Sequence, residues 1–198
     1  MRMRSWIAAV TVAALLLPAA AQAKKYKVDE EHTTVGFKIR HLFTSVEGRF
    51  GKFEGQIDFD LDSADGTKVK GSIDATTIDT NVAERDKHLR SSDFFNVADH
   101  PKIEFESTKV IDVDKGKKTA KMEGKLTMHG VTKPIVLDVA FLGEGPDPWG
   151  NKKAGFSAET TINRKDFGLN WNETLETGGL LVGDDVNIRI DVEAYVQE

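Results

Sequence analysis

No cysteine occurs among the 198 residues. That excludes disulfides, thiol chemistry and a lipoprotein anchor, whose lipid is attached to cysteine. Beyond the first 23 residues there is no apolar run long enough to span a bilayer. Basic charge is not in excess either, with 27 Lys and Arg against 32 Asp and Glu. An acidic balance without a basic cluster argues against nucleic acid as a partner and against docking on anionic lipid. A G-x-S-x-G elbow, a phosphate loop and a dinucleotide fingerprint are all missing. His32, His41, His88, His100 and His129 show no H-x-H or H-E-x-x-H spacing, so no metal ligands are assigned. Neither an internal repeat nor a low-complexity linker divides the chain, which reads as one domain.

The N-terminus is organised for export. Arg2 and Arg4 give a basic start, Trp6 to Leu17 an apolar stretch, and Ala21-Gln22-Ala23 a small-residue cleavage site. The expectation is a cleaved secretory signal over residues 1–23 and a periplasmic mature chain without an integral membrane segment. The 198 residues less those 23 leave 175, enough for a substantial core. Without Arg2 and Arg4 the basic count falls from 27 to 25 against 32 acidic residues, a formal charge of −7.

What fills that chain is alternation. Val186 to Val196 reads V-N-I-R-I-D-V-E-A-Y-V, apolar and polar by turns, the pattern of a half-buried strand. Seven earlier segments share it: Val35 to Ile39, Phe53 to Leu61, Val69 to Thr76, Ile103 to Val113, Ala120 to Met128, Ile135 to Phe141, and Ala154 to Ile162. In the fourth, Ile103, Phe105, Ile111 and Val113 are placed on one face. Asp65-Gly66, Lys115-Gly116 and His129-Gly130 supply tight turns, and short links favour antiparallel neighbours. One stretch breaks the period. Asn81 with Glu84 resembles a capping box, and a helix is expected over about residues 83–91.

Eight such strands can close into a barrel or fold over as a sandwich. The apolar face mixes Gly71, Ala75, Ala120, Gly124, Ala154 and Ala158 with Phe53, Phe59, Phe105, Phe141 and Phe156. Small residues opposite large ones can interdigitate, so a packed core is the simpler expectation and a cavity the alternative. On the helix, Arg85, Asp86, His88 and Arg90 form either a solvated face with an Asp86–Arg90 pair or a cavity mouth. Leu89, Phe94 and Phe95 would plug one barrel end. Arg164 and Asp166 would fix the corner after the seventh strand as a local ion pair. Ser91 and Ser92 lie near His88 and Asp86, but one short helix does not align them as a relay, and no catalytic residue is assigned.

The segment Arg85-Asp-Lys-His-Leu-Arg-Ser-Ser-Asp-Phe-Phe95 resembles a hallmark of the YceI-like family. Leu126-Thr-Met-His-Gly-Val-Thr-Lys-Pro134, Asp147-Pro-Trp-Gly150, Ala154-Gly-Phe-Ser-Ala158, Thr161 to Leu169, and Val182-Gly-Asp184 match as well. So do Tyr26 to Asp29 and the Val35 to His41 strand, and the order is kept along the whole mature chain. The resemblance implies an all-β fold, a single eight-stranded antiparallel lipocalin-like barrel with one short α-helix near one end. It also implies an apolar cavity holding an isoprenoid or similar amphiphilic lipid, a quinone or polyprenyl chain, with no cofactor. On that reading Val35, Phe37, Phe53, Ile57, Phe59 and Phe105 belong to the cavity wall. Met122, Leu126, Leu137, Phe156 and Ile188 complete it. Arg85, His88, Arg164 and Asp166 would meet a headgroup at the mouth. Chain length would be selected by residues blocking the far end. The link Asn172 to Leu180 is longer than the family pattern and alters the rim, through which a homodimer is conceivable. Two other readings remain, a structural or stress-response protein with a packed core, and an enzyme acting on a lipid headgroup.

Overall fold

The computed structural model describes residues 23–60, 63–176 and 178–197. The expected leader lies outside the described residues except for Ala23, and so does Leu61. Eleven strands form one antiparallel sheet: β1 (Lys24–Val28), β2 (Thr34–His41), β3 (Thr44–Phe50), β4 (Phe53–Phe59), β5 (Lys68–Asp74), β6 (Ile78–Asp79), β7 (Lys102–Asp114), β8 (Thr119–Met128), β9 (Val131–Pro146), β10 (Lys152–Asn163) and β11 (Val182–Gln197). Among the described residues the one α-helix, α1, spans Ala83–Arg90.

The sheet order is β1-β4-β5-β7-β8-β9-β10-β11, and β1 pairs back onto β11, so the sheet closes into an eight-stranded barrel. At the other end of the barrel β2, β3 and β6 continue the lines of β1, β4 and β5. Each of these three staves is bent once, at residues 29–33, 51–52 and 75–77. Between β6 and β7 the chain leaves the sheet as α1, which covers that end. Among the described residues no helix is long and apolar enough to cross a membrane.

Local chemistry explains the tightest turn. His129 and Gly130 both have positive φ, 52° and 74°, joining β8 to β9 as a two-residue hairpin. Both central residues of such a turn need the left-handed region that matches strand twist.

Two local expectations are corrected, and two strands lie where no alternating segment was read. In β7 the register shifts between Ser107 and Lys109 and again between Ile111 and Asp114, and Asp112 has φ 53°. The first extra residue flips the side chains that follow it, so Val110 is buried and Ile111 is not on the inner face with Phe105, whereas after the second Val113 lines the cavity as expected. The first helical cap is Val82, without a side-chain hydrogen bond, so Asn81 and Glu84 do not form a capping box. Asn81 instead takes φ 62° and donates its N–H to Asp79 Oδ1. Finally, β1 and β3 carry too few apolar residues to show a period of two, yet β1 buries Tyr26 and β3 buries Phe50.

Candidate ligand cavity

The barrel interior is hollow. A cavity of about 630 Å³ runs through it, lined from every stave and bounded at the helix end by α1 and the following turn. The expectation of a packed core is overturned, and the small residues show why. A Cβ on Gly124 would lie 2.3 Å from the Phe105 ring, and one on Gly48 would lie 2.3 Å from the Phe37 ring. These rings fold flat over glycines of neighbouring strands, so large and small do interdigitate, but along the wall. The lumen stays open.

All eleven residues expected in the wall line the cavity: Val35 and Phe37 on β2; Phe53, Ile57 and Phe59 on β4; Phe105 on β7; Met122 and Leu126 on β8; Leu137, Phe156 and Ile188 on β9, β10 and β11. Their neighbours form one apolar cluster near the helix, around Phe50, Phe53 and Leu126. A second, around Tyr26, Ile57 and Ala154, lies towards the opposite end. Val110, Met122 and Leu137 make a third on the β7–β8–β9 side. Sequence reasoning missed Val110, hidden by the β7 bulge, and Trp171, which lies in a segment without periodicity.

The helix end carries the polar groups expected at a mouth. Arg85 and His88 line the cavity together with Thr80, Glu84 and Trp171. Arg85 donates from Nε to Thr80 Oγ1 at 2.7 Å and from Nη2 to the Thr80 carbonyl at 2.8 Å. Thr80 in turn donates both its N–H and its hydroxyl to Asp86 Oδ1, so the buried Asp86 pins α1 to the end of β6. The expected Asp86–Arg90 pair does not form; Arg90 donates to the Ile78 carbonyl. His88 Nε2 is 2.9 Å from Asp93 Oδ2, and its ring packs edge-on against Phe94 and Trp171 at 5.0 and 4.9 Å. Ser91 donates its hydroxyl to the His88 carbonyl rather than to the imidazole, so the two are not a nucleophile and base.

Arg164 also lines the cavity, but four of its N–H groups are engaged elsewhere. It donates to the carbonyls of Gly183, Leu169 and Trp171, and to Asp184 Oδ1 at 3.3 Å. Asp184 takes the place expected for Asp166, which is exposed and outside the lining. Burial pushes the Arg164 guanidinium down from its ordinary range, and Asp184 acts in the opposite sense.

The wall contains two polar tethers that the sequence did not announce. Behind the cavity at the end opposite α1, Tyr26 donates its hydroxyl to Glu144 Oε2 at 2.7 Å, and Lys24 also pairs with Glu144. Burial, then the Glu144 contact, raises the Tyr26 hydroxyl above its usual range. In the bend after β1, Asp29 accepts from Lys153 Nζ at 2.8 Å and lies 2.8 Å from His32 Nδ1. Asp29, His32 and Glu193 cluster closely enough to suit a cation. The Lys153 ammonium, 3.1 Å from Glu193 Oε2, already supplies one.

Comparison with known proteins agrees with this architecture. A family model described as the YceI-like domain matches residues 26–194. A UPF0312 protein of Vibrio cholerae is 41% identical over 171 residues, covering 84% of this chain and 89% of the relative. Among solved structures, the Campylobacter jejuni YCEI protein is 37% identical with a TM-score of 0.69, covering 86% of this chain and 97% of that one. A polyisoprenoid binding domain from Saccharophagus degradans shares the fold at 15% identity, with a TM-score of 0.61 and coverage of 89% and 100%. Barrel, helix and motif order thus coincide with a family match over nearly the whole described chain, and the protein belongs to the YceI-like family.

Proposed function

We propose that this protein is a periplasmic carrier or reservoir that holds an isoprenoid or similar amphiphilic lipid, a quinone or polyprenyl chain, inside the barrel. The observation that carries the reading is the lumen itself, about 630 Å³ walled by aliphatic and aromatic side chains. That volume lies within the roughly 300–1,000 Å³ of ordinary ligand sites. Each buried methylene contributes about 0.8 kcal/mol, so a long tail is held tightly without a specific polar contact. Arg85 and His88 are the cavity-lining pair offered to a headgroup. The name of the Saccharophagus degradans domain supports the ligand class, and the leader from Arg2 to Ala23 supports export.

The test is extraction of protein purified from the periplasmic fraction without detergent, followed by mass spectrometry. A co-purifying prenyl lipid is expected, on a chain whose mass begins at Lys24. Leu126→Trp adds bulk to the lumen and should leave a folded but empty barrel. Wild-type protein that is empty and binds no apolar probe would overturn the reading.

A further inference from the structure

Three phenylalanine rings that line the lumen meet across it. Phe59 ends β4, and Phe141 lies on β9, four places away around an eight-membered ring of strands, directly opposite. Yet their ring centroids are only 5.0 Å apart. Phe156 on β10 closes the group, 5.4 Å from Phe59 and 5.6 Å from Phe141. Side chains on opposite walls of a barrel touch only where the lumen is pinched between them. The bar stands at the end away from α1, level with the first residue of β1, because Lys24 pairs with Phe59. Beyond it the surroundings become charged, with Lys118 Nζ 5.5 Å from the Phe141 ring centroid.

The bar is also braced. Tyr26, 1% exposed, packs edge-on against Phe156 at 5.7 Å, and its hydroxyl is held by Glu144. Aromatic edge-to-face contacts of this kind fix ring positions as well as burying area.

We propose that Phe59, Phe141 and Phe156 are the stop that sets how long an isoprenoid chain the barrel accepts, with Tyr26 as the residue that positions it. This rests on the carrier reading above. A chain whose headgroup lies by Arg85 and His88 gains affinity with each five-carbon unit buried, on the order of several hundred-fold per unit. The unit that reaches the rings gains nothing further. Affinity therefore rises with chain length and then levels off, and the length at which it levels is a property of these rings.

The experiment measures binding of all-trans prenols of increasing length, from farnesol to solanesol, to delipidated protein by native mass spectrometry. In wild type the affinity should climb and then level. Phe59→Ala and Phe141→Ala should move the levelling point to longer chains by about one isoprene unit, the space one ring vacates. Leu142→Ala, on the outer face beside Phe141, should leave that point unmoved. Phe59→Leu keeps an apolar filler should the alanine variants fail to fold, and Val69→Phe, which narrows the passage beside the bar, should shift levelling to shorter chains. A wild type that binds no prenol sinks the carrier reading. A wild type that binds, with a levelling point unmoved in Phe59→Leu and Val69→Phe, overturns the stop alone.

Discussion

Arg164 is 3% exposed, yet it carries a charge. It is tolerated because carbonyls of Leu169, Trp171 and Gly183 converge on it with Asp184. Those acceptors belong to the chain entering and leaving the long link between β10 and β11, so one guanidinium fastens the whole connection. Removing it would orphan several buried carbonyls at once. Arg164→Ala should therefore destabilise by about 3–5 kcal/mol, the cost of breaking a buried hydrogen-bonded charge. Arg164→Lys should recover little, because a point ammonium cannot replace a fork of donors. Urea unfolding midpoints of the three proteins check this, and a loss below about 1 kcal/mol would contradict it. The sequence marked Arg164 as unusual but named the wrong partner. Asp166 is two residues away, whereas Asp184 reaches Arg164 only through the fold.

At the scale of elements, the bend between β1 and β2 is where the barrel seam is latched. Asp29 donates its N–H to the Glu193 carbonyl, continuing the β1–β11 ladder past Val28. Burial works against the Asp29 charge, but hydrogen bonds from Lys153, His32 and Tyr195 outweigh it and hold the carboxyl well below the usual range. A depressed carboxylate contributes stability that is full above its unfolded value, near pH 4, and is lost as pH falls further. Lys153, raised chiefly by Asp29, loses its contribution only in strong alkali. Melting temperature should thus be level from about pH 5 to 9 and fall steeply below pH 4. Asp29→Asn should lower the plateau by on the order of 2 kcal/mol and flatten the acid limb. An unchanged acid limb in that variant would remove Asp29 from the account. Strands such as β8 and β11 were legible because alternation is a local property of a stave. The bends, the β7 bulge and the Asp29 latch were not, since each depends on what a neighbouring strand presents.

Over the whole molecule, the unusual quantity is the empty interior. A cavity of about 630 Å³ forgoes the dispersion contacts that a filled core of this size would have. Sequence composition did not separate the hollow barrel from the solid one, because glycine beside phenylalanine serves both. The difference lies in whether the ring covers its neighbour's glycine or points inward. Phe105 and Phe37 cover, whereas Phe59 and Phe141 cross. On the carrier reading a barrel built this way is completed by its ligand, which links folding to binding. A prenol at about one hundred times its dissociation constant should stabilise the folded state by about 2.7 kcal/mol. For a chain of this length that corresponds to a rise in melting temperature of roughly 5–10 °C. Thermal melts of delipidated protein across a prenol titration measure it, and the rise should follow the logarithm of free ligand once the site is saturated. Leu126→Trp, with its lumen already filled, should melt at one temperature whatever the prenol concentration. If wild type and Leu126→Trp respond alike, the added stability does not come from occupying the lumen.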